Sequence, residues 1–144
     1  MRKIRPREGD IQRTILAWLN LHRVPHFRNN TGATRLPGRG GKPMLVRFGS
    51  PGWPDIVAVG PGGILVGIEC KRPLGPRGGA SGSTPDPAQR AVGEAITSAG
   101  GAYIVARCLS DVIDAWSHLA ARGLVARGLW VERAPDAARK EREV

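Results

Sequence analysis

Three charged residues interrupt the most apolar stretch of this chain. Asp55 opens the run Ile56-Val57-Ala58-Val59, and Glu69 and Lys71 close the run from Ile64 to Lys71. Alternate residues of a strand share a face, so Glu69 and Lys71 point one way and Cys70 the other. The turn Gly60-Pro61-Gly62-Gly63 joins the two runs, which predicts a β-hairpin. A hairpin sets the start of its first strand beside the end of its second, so Asp55 falls next to Glu69 and Lys71. Charges among Ile, Val and Leu are costly unless they are paired or bind a metal. Two adjacent carboxylates repel and raise one pKa, a conflict that a divalent cation removes. Oxygen ligands suit Mg²⁺ or Mn²⁺. Such an ion polarises a phosphoryl oxygen and acidifies a bound water, while Lys71 can orient or deprotonate that water or stabilise charge growing on phosphate. Asp55 and Glu69 are the expected ligands, with the Cys70 backbone carbonyl as a further oxygen. The plainer alternative is a structural salt bridge between Lys71 and either acid.

The elements that must position these groups follow from periodicity. Ile11, Ile15, Trp18 and Leu19 recur at helical spacing and predict a helix from about Glu8 to Leu21. Glu8 opens it, either as an acid favoured by the helix dipole or as a carboxylate aimed into the domain. An extended piece, His26 to Asn30, precedes a Gly-rich loop from Thr31 to Pro43 that is expected to be exposed and mobile. Met44 to Phe48 reads as a strand. After the hairpin comes a second long loop, Pro73 to Pro87, then a helix from Pro87 to Ala99 with Ala91, Ala95 and Ile96 as core contacts. Gly100-Gly101 stops that helix. Ala102 to Arg107 is an apolar strand. Ser110 caps a last helix, Asp111 to Ala121, packed through Val112, Ile113, Ala115, Trp116 and Leu119. Leu124 to Val131 is a further short strand. The order predicts an α/β fold with a mixed β-sheet flanked by α-helices in a single domain, residues 1–131, followed by a charged tail at 132–144.

Composition narrows the partners. The net charge of +10 points to a polyanion, most simply nucleic acid. Arg28, Arg35, Arg39, Lys42 and Arg47 precede the acid pair, and Arg72 and Arg77 follow it, so two basic loops can clamp a nucleic-acid backbone. Aromatics make up 5% of the chain and offer no evident stacking platform. Trp53 can stack on a base or wedge its turn, and Trp18 and Trp116 fall at core spacing. Cys70 and Cys108 form no disulfide framework and are expected as buried free thiols in a reducing compartment. No apolar run approaches the ~20 residues of a membrane span, and the basic N-terminus lacks the apolar region of a secretory signal. A cytoplasmic protein is the expectation.

Pro54-Asp55 followed by Glu69-Cys70-Lys71 resembles the PD-(D/E)XK nuclease signature, and more narrowly its VRR-NUC branch. The supporting pieces are Glu8 in the first helix, Asn30-Thr31-Gly32, the stretch Phe48 to Ile56, Glu69-Cys70-Lys71-Arg72-Pro73, Gln89 opening the next helix, and Gly100-Gly101-Ala102. The resemblance covers about Glu8 to Leu119. It implies a restriction-endonuclease-like core and Mg²⁺- or Mn²⁺-dependent hydrolysis of DNA phosphodiesters. It also implies a metal-assisting role for Glu8, a positioning role for Gln89, branched or otherwise structured DNA as substrate, and a homodimer. One departure is the long Gly-rich segment between Lys71 and Gln89. The competing expectation is a non-catalytic nucleic-acid-binding protein that uses the same basic loops. A sequence-specific restriction enzyme is a third, which the short chain and backbone-directed basic loops disfavour.

Overall fold

The computed structural model describes residues 5–75, 84–122 and 128–132. Helix α1 spans Glu8–Leu21, and the Asp10 carboxylate accepts the Arg7 backbone N–H at 2.9 Å, which fixes its first turn. Strand β1, His26–Arg28, is followed by β2, Gly32–Pro37, and β3, Pro43–Phe48. Then come β4, Ile56–Val59, β5, Leu65–Cys70, helix α2, Pro87–Ser98, β6, Ala102–Ala106, helix α3, Leu109–Arg122, and β7, Leu129–Glu132.

Five strands form one mixed sheet in the order β1-β4-β5-β6-β7. The first three pair antiparallel, and β5, β6 and β7 pair parallel. Parallel neighbours need crossover connections, and α2 and α3 lie in those crossovers. The sheet buries side chains on both faces. On one face Ile56, Ala58, Val66, Ile68, Cys70, Ile104 and Ala106 meet Ile11, Ile15 and Leu19 of α1 and Val112, Ala115 and Leu119 of α3. On the other, Tyr103 and Val105 meet Ile96 and Val92 of α2 and Trp130 of β7. Trp18 and Trp116 pack edge to face with centroids 5.8 Å apart beside the larger cluster. Among the described residues no helix is long and apolar enough to cross a membrane.

Several expectations are corrected. The Gly-rich segment after Thr31 is not one long loop: β2 pairs with β3 from Gly32↔Phe48 to Pro37↔Pro43, and residues 38–42 form the turn, with one 3-10 turn at Arg39–Gly41. Arg35 and Arg47 therefore stand on strands, and Arg39 and Lys42 at the tip. Cross-strand pairing supplied what a Gly-rich composition hid. Ala91 and Ala95 are exposed, because α2 meets the sheet through Gly93 and Ile96 instead. Ile113 is 37% exposed, one position off the buried stripe of α3. Ser110 lies inside α3 rather than capping it. Cys70 is buried, but Cys108 is exposed in the connection between β6 and α3. Glu132 ends β7 rather than opening a tail. Arg77, the first part of the expected strand from Leu124, and the tail from 133 onward lie outside the described residues.

Two glycines set the distance between α2 and the sheet. A Cβ on Gly67 would meet Pro54 Cγ at 2.7 Å and the Tyr103 ring at 3.2 Å. A Cβ on Gly93 would meet Trp130 Cζ3 at 2.6 Å and Tyr103 Cδ1 at 2.9 Å. The missing side chains let the fully buried Pro54 lie against β5 and hold the turn that delivers Asp55. Gly67→Val is expected to cost about 1–3 kcal/mol through overpacking. A lowered urea midpoint at unchanged m-value checks this.

Candidate active site

Pro54-Asp55 leads into β4, and the pair Ile56↔Ile68 fixes its register on β5. One step further, the same register sets Asp55 opposite Glu69, on the face that α2 covers. Glu69 is 1% exposed and Lys71 7%. Lys71 Nζ lies 2.9 Å from Glu69 Oε1. The Cys70 backbone N–H donates to Asp55 Oδ2 at 2.8 Å, while the thiol turns into the core of the opposite face. The carboxylate of Asp55 is thus tied to the backbone between the other two site residues.

Helix α2 contributes Gln89 through its cap. The Asp86 side chain accepts the Gln89 N–H at 2.9 Å, and Gln89 Oε1 accepts the Asp86 N–H at 2.9 Å. With Oε1 engaged, the amide turns Nε2 outward, and it donates to Glu69 Oε1 at 2.7 Å. Glu69 Oε1 therefore accepts from both Lys71 and Gln89. Its other oxygen, Oε2, is buried and has no hydrogen-bond partner among the described residues. An orphaned carboxylate oxygen is costly and invites a cation.

The electrostatics match this crowding. Burial, with Asp55 and then Glu8 adding, pushes the Glu69 carboxyl from 4.5 up to about 7, against the pull of Lys71. Burial also raises Asp55, opposed by the Cys70 N–H, Lys71 and Arg28. Glu8, half-buried at the start of α1, is raised by burial and by Asp55 and lowered by Lys71 and Arg72. Glu8 therefore sits within the field of the same cluster. Among the described residues no group of three or more His, Cys, Asp or Glu side chains could hold a metal ion. The donor set still fits a hard divalent ion of the kind held by one or two carboxylates with water and phosphate oxygens completing its shell. Asp55 and Glu69 are the two carboxylates at this point, and Glu8 lies within their field without completing a three-ligand group.

The structure thus gathers Asp55, Glu69, Lys71, Gln89 and the Cys70 backbone at one end of the sheet, with Glu8, Arg28 and Arg72 around them. Arg35, Arg39, Lys42 and Arg47 are on the separate β2–β3 ribbon. Sequence reasoning missed Asn29, whose side chain bridges to the Ser50 and Trp53 backbone and holds the turn before Asp55. It also missed Arg107, which donates to the Arg72 carbonyl at 3.0 Å, and Glu132, 3.5 Å from Arg90 and 3.9 Å from Arg107. Neither contact leaves a local sequence signal, since each joins residues of different elements. No family model, curated protein or solved structure matches the chain.

The raised acid has a thermodynamic consequence in metal-free protein. Folded Glu69 binds its proton more tightly than the unfolded chain does, so stability falls as pH rises from 4.5 to about 7. Glu69→Gln is expected to remove the upper part of that slope, on the order of 2 kcal/mol. Urea titrations in EDTA at about pH 5 and about pH 8 check this, and an unchanged slope in the variant assigns the proton to another group.

Proposed function

We propose that this protein is a metal-dependent deoxyribonuclease of the PD-(D/E)XK type, of the VRR-NUC branch, with a restriction-endonuclease-like core. The observation that carries the reading is the meeting of Asp55, Glu69, Lys71 and Gln89 at one sheet end, with a buried Glu69 oxygen that lacks a partner among the described residues. A purely structural salt bridge needs neither the second acid nor the orphaned oxygen. The five-stranded mixed sheet with helices on both faces supports the same reading.

Asp55 and Glu69 would hold Mg²⁺ or Mn²⁺, with Glu8 assisting and the Cys70 carbonyl as a further oxygen. The bound ion supplies a Lewis acid for the phosphodiester oxygens. Lys71, anchored to Glu69, orients the attacking water and stabilises negative charge on the phosphoryl group. Water oxygen bonds to phosphorus, the bond to one sugar oxygen breaks, and that oxygen leaves with a proton. Gln89 fixes the Glu69 rotamer, so that Oε2 keeps its direction. Arg28 and Arg72 lie where the substrate backbone approaches and can neutralise its phosphates. The partner is DNA, branched or otherwise structured, and pairing of two copies belongs to the same reading, as does a cytoplasmic setting.

Cleavage of junction, flap, single-stranded and linear duplex DNA in Mg²⁺ and Mn²⁺ tests the proposal. Asp55→Ala and Lys71→Ala are each expected to lose at least ~10²-fold in rate while binding survives. EDTA is expected to abolish cleavage by the wild type. Retained cleavage by Asp55→Ala contradicts the mechanism. Binding without any cleavage in Mn²⁺ favours the alternative, a non-catalytic nucleic-acid-binding protein.

A further inference from the structure

Between Asp10 and Asp55 the chain carries no acidic residue. Arg35, Arg39, Lys42 and Arg47 from this stretch fall on β2, β3 and their turn. The β2–β3 register puts Ala33, Arg35, Leu45 and Arg47 on one face, and Thr34, Leu36, Met44, Val46 and Phe48 on the other. Arg35, Arg39, Lys42 and Arg47 are all exposed.

The ribbon is a sheet of its own, and among the described residues no helix or other strand packs broadly against it. A lone two-stranded hairpin is marginal in water. Among the described residues this hairpin's hydrogen-bonded latch to the rest of the chain lies at its base. The Asn29 side-chain amide donates to the Ser50 and Trp53 carbonyls at 3.2 and 3.3 Å, and its oxygen accepts the Ser50 N–H at 3.2 Å. The Asn29 backbone N–H donates to the Asp55 carbonyl at 2.7 Å. The ribbon therefore leaves the main sheet at the residue that opens the acid-bearing strand.

We infer that β2–β3 is an arm that enters the major groove of duplex nucleic acid, with its Arg35 and Arg47 face against the groove and Arg39 and Lys42 on phosphates at the tip. The inference rests on the phosphodiester reading for its choice of partner, and it names a duplex beside the cleaved bond as part of the substrate. Dimensions agree: strands about 4.8 Å apart and roughly 20 Å long fit a groove about 12 Å wide. A single strand is the poorer occupant, because such sites stack bases on aromatic rings. The cationic face carries none, and the ring of Phe48 on the other face covers Gly32. A second copy is the poorer occupant of this face, since it would set the same arginine-bearing ribbon against it.

The test is equilibrium binding in EDTA to a labelled linear duplex and to a single strand of equal length across a salt series. Arg35→Ala/Arg47→Ala, with its circular dichroism unchanged, is expected to weaken duplex binding about tenfold or more. Arg39→Ala/Lys42→Ala, which removes the phosphate contacts at the tip, is expected to make the slope of log K against log salt shallower by about two. Single-strand binding is expected to change less. Equal losses on both substrates, or an unaltered salt slope, overturn the inference. A wild type that sediments as a dimer and becomes monomeric in Leu36→Ser/Met44→Ser, with duplex binding intact in the arginine variant, overturns it in favour of a second copy. Cleavage by the wild type in Mn²⁺ is measured separately. If cleavage is absent while binding depends on the arm, the nuclease reading fails and the arm inference stands.

Discussion

Everything at the sheet end turns on the enclosure of one carboxylate and one ammonium, Glu69 and Lys71, in a shell that water barely reaches, with the half-buried Asp55 beside them. Glu69 is as buried as the isoleucines beside it, and Lys71 nearly so. Burial of an isolated charge is strongly unfavourable, so each group must be answered by another. Glu69 Oε1 receives Lys71 and Gln89, and Asp55 Oδ2 receives the Cys70 N–H. The balance is incomplete: among the described residues one Glu69 oxygen has no partner, and burial with neighbouring acids pushes its carboxyl to about 7. Such incompleteness marks functional sites more often than structural ion pairs.

The rest of the fold can be understood by how it sustains that enclosure. The β4–β5 register aligns the acids, and β6 continues the pairing past them through the Lys71 N–H to the Ala106 carbonyl at 2.9 Å. The absent side chains of Gly67 and Gly93 bring Pro54 and α2 down onto the sheet. The reciprocal Asp86–Gln89 cap then does two things at once. It satisfies the helix terminus, and it leaves one amide N–H of Gln89 to reach Glu69. Beyond the enclosure, Arg90, Arg107 and Glu132 tie α2, β6 and β7 together at the same end.

What the sequence made legible was what repeats locally. The α1 stripe, the alternation around Glu69, Cys70 and Lys71, and the turn Gly60 to Gly63 each follow from neighbours in the chain. The strands on both sides of the acids were legible for the same reason, as was the mixed sheet with helices around it. The β2 strand was not, because glycine and proline dominate its surroundings and its stability comes from β3. Ile113 reads as inward because an apolar residue one step off the stripe looks like part of it. Ala91 and Ala95 read as inward because nothing local marks Gly93 as the contact. The Asn29 latch and the Glu132 pairs join distant parts of the chain, so no local pattern could disclose them.

The central claim is that the bare Glu69 oxygen and Asp55 face one divalent ion. Crystals grown with Mn²⁺ and measured for anomalous scattering test it directly. The account expects one strong peak between the Asp55 and Glu69 carboxylates, with Lys71 still on Glu69. Both acids ordered with no peak between them, at Mn²⁺ levels that fill ordinary two-carboxylate sites, would contradict it.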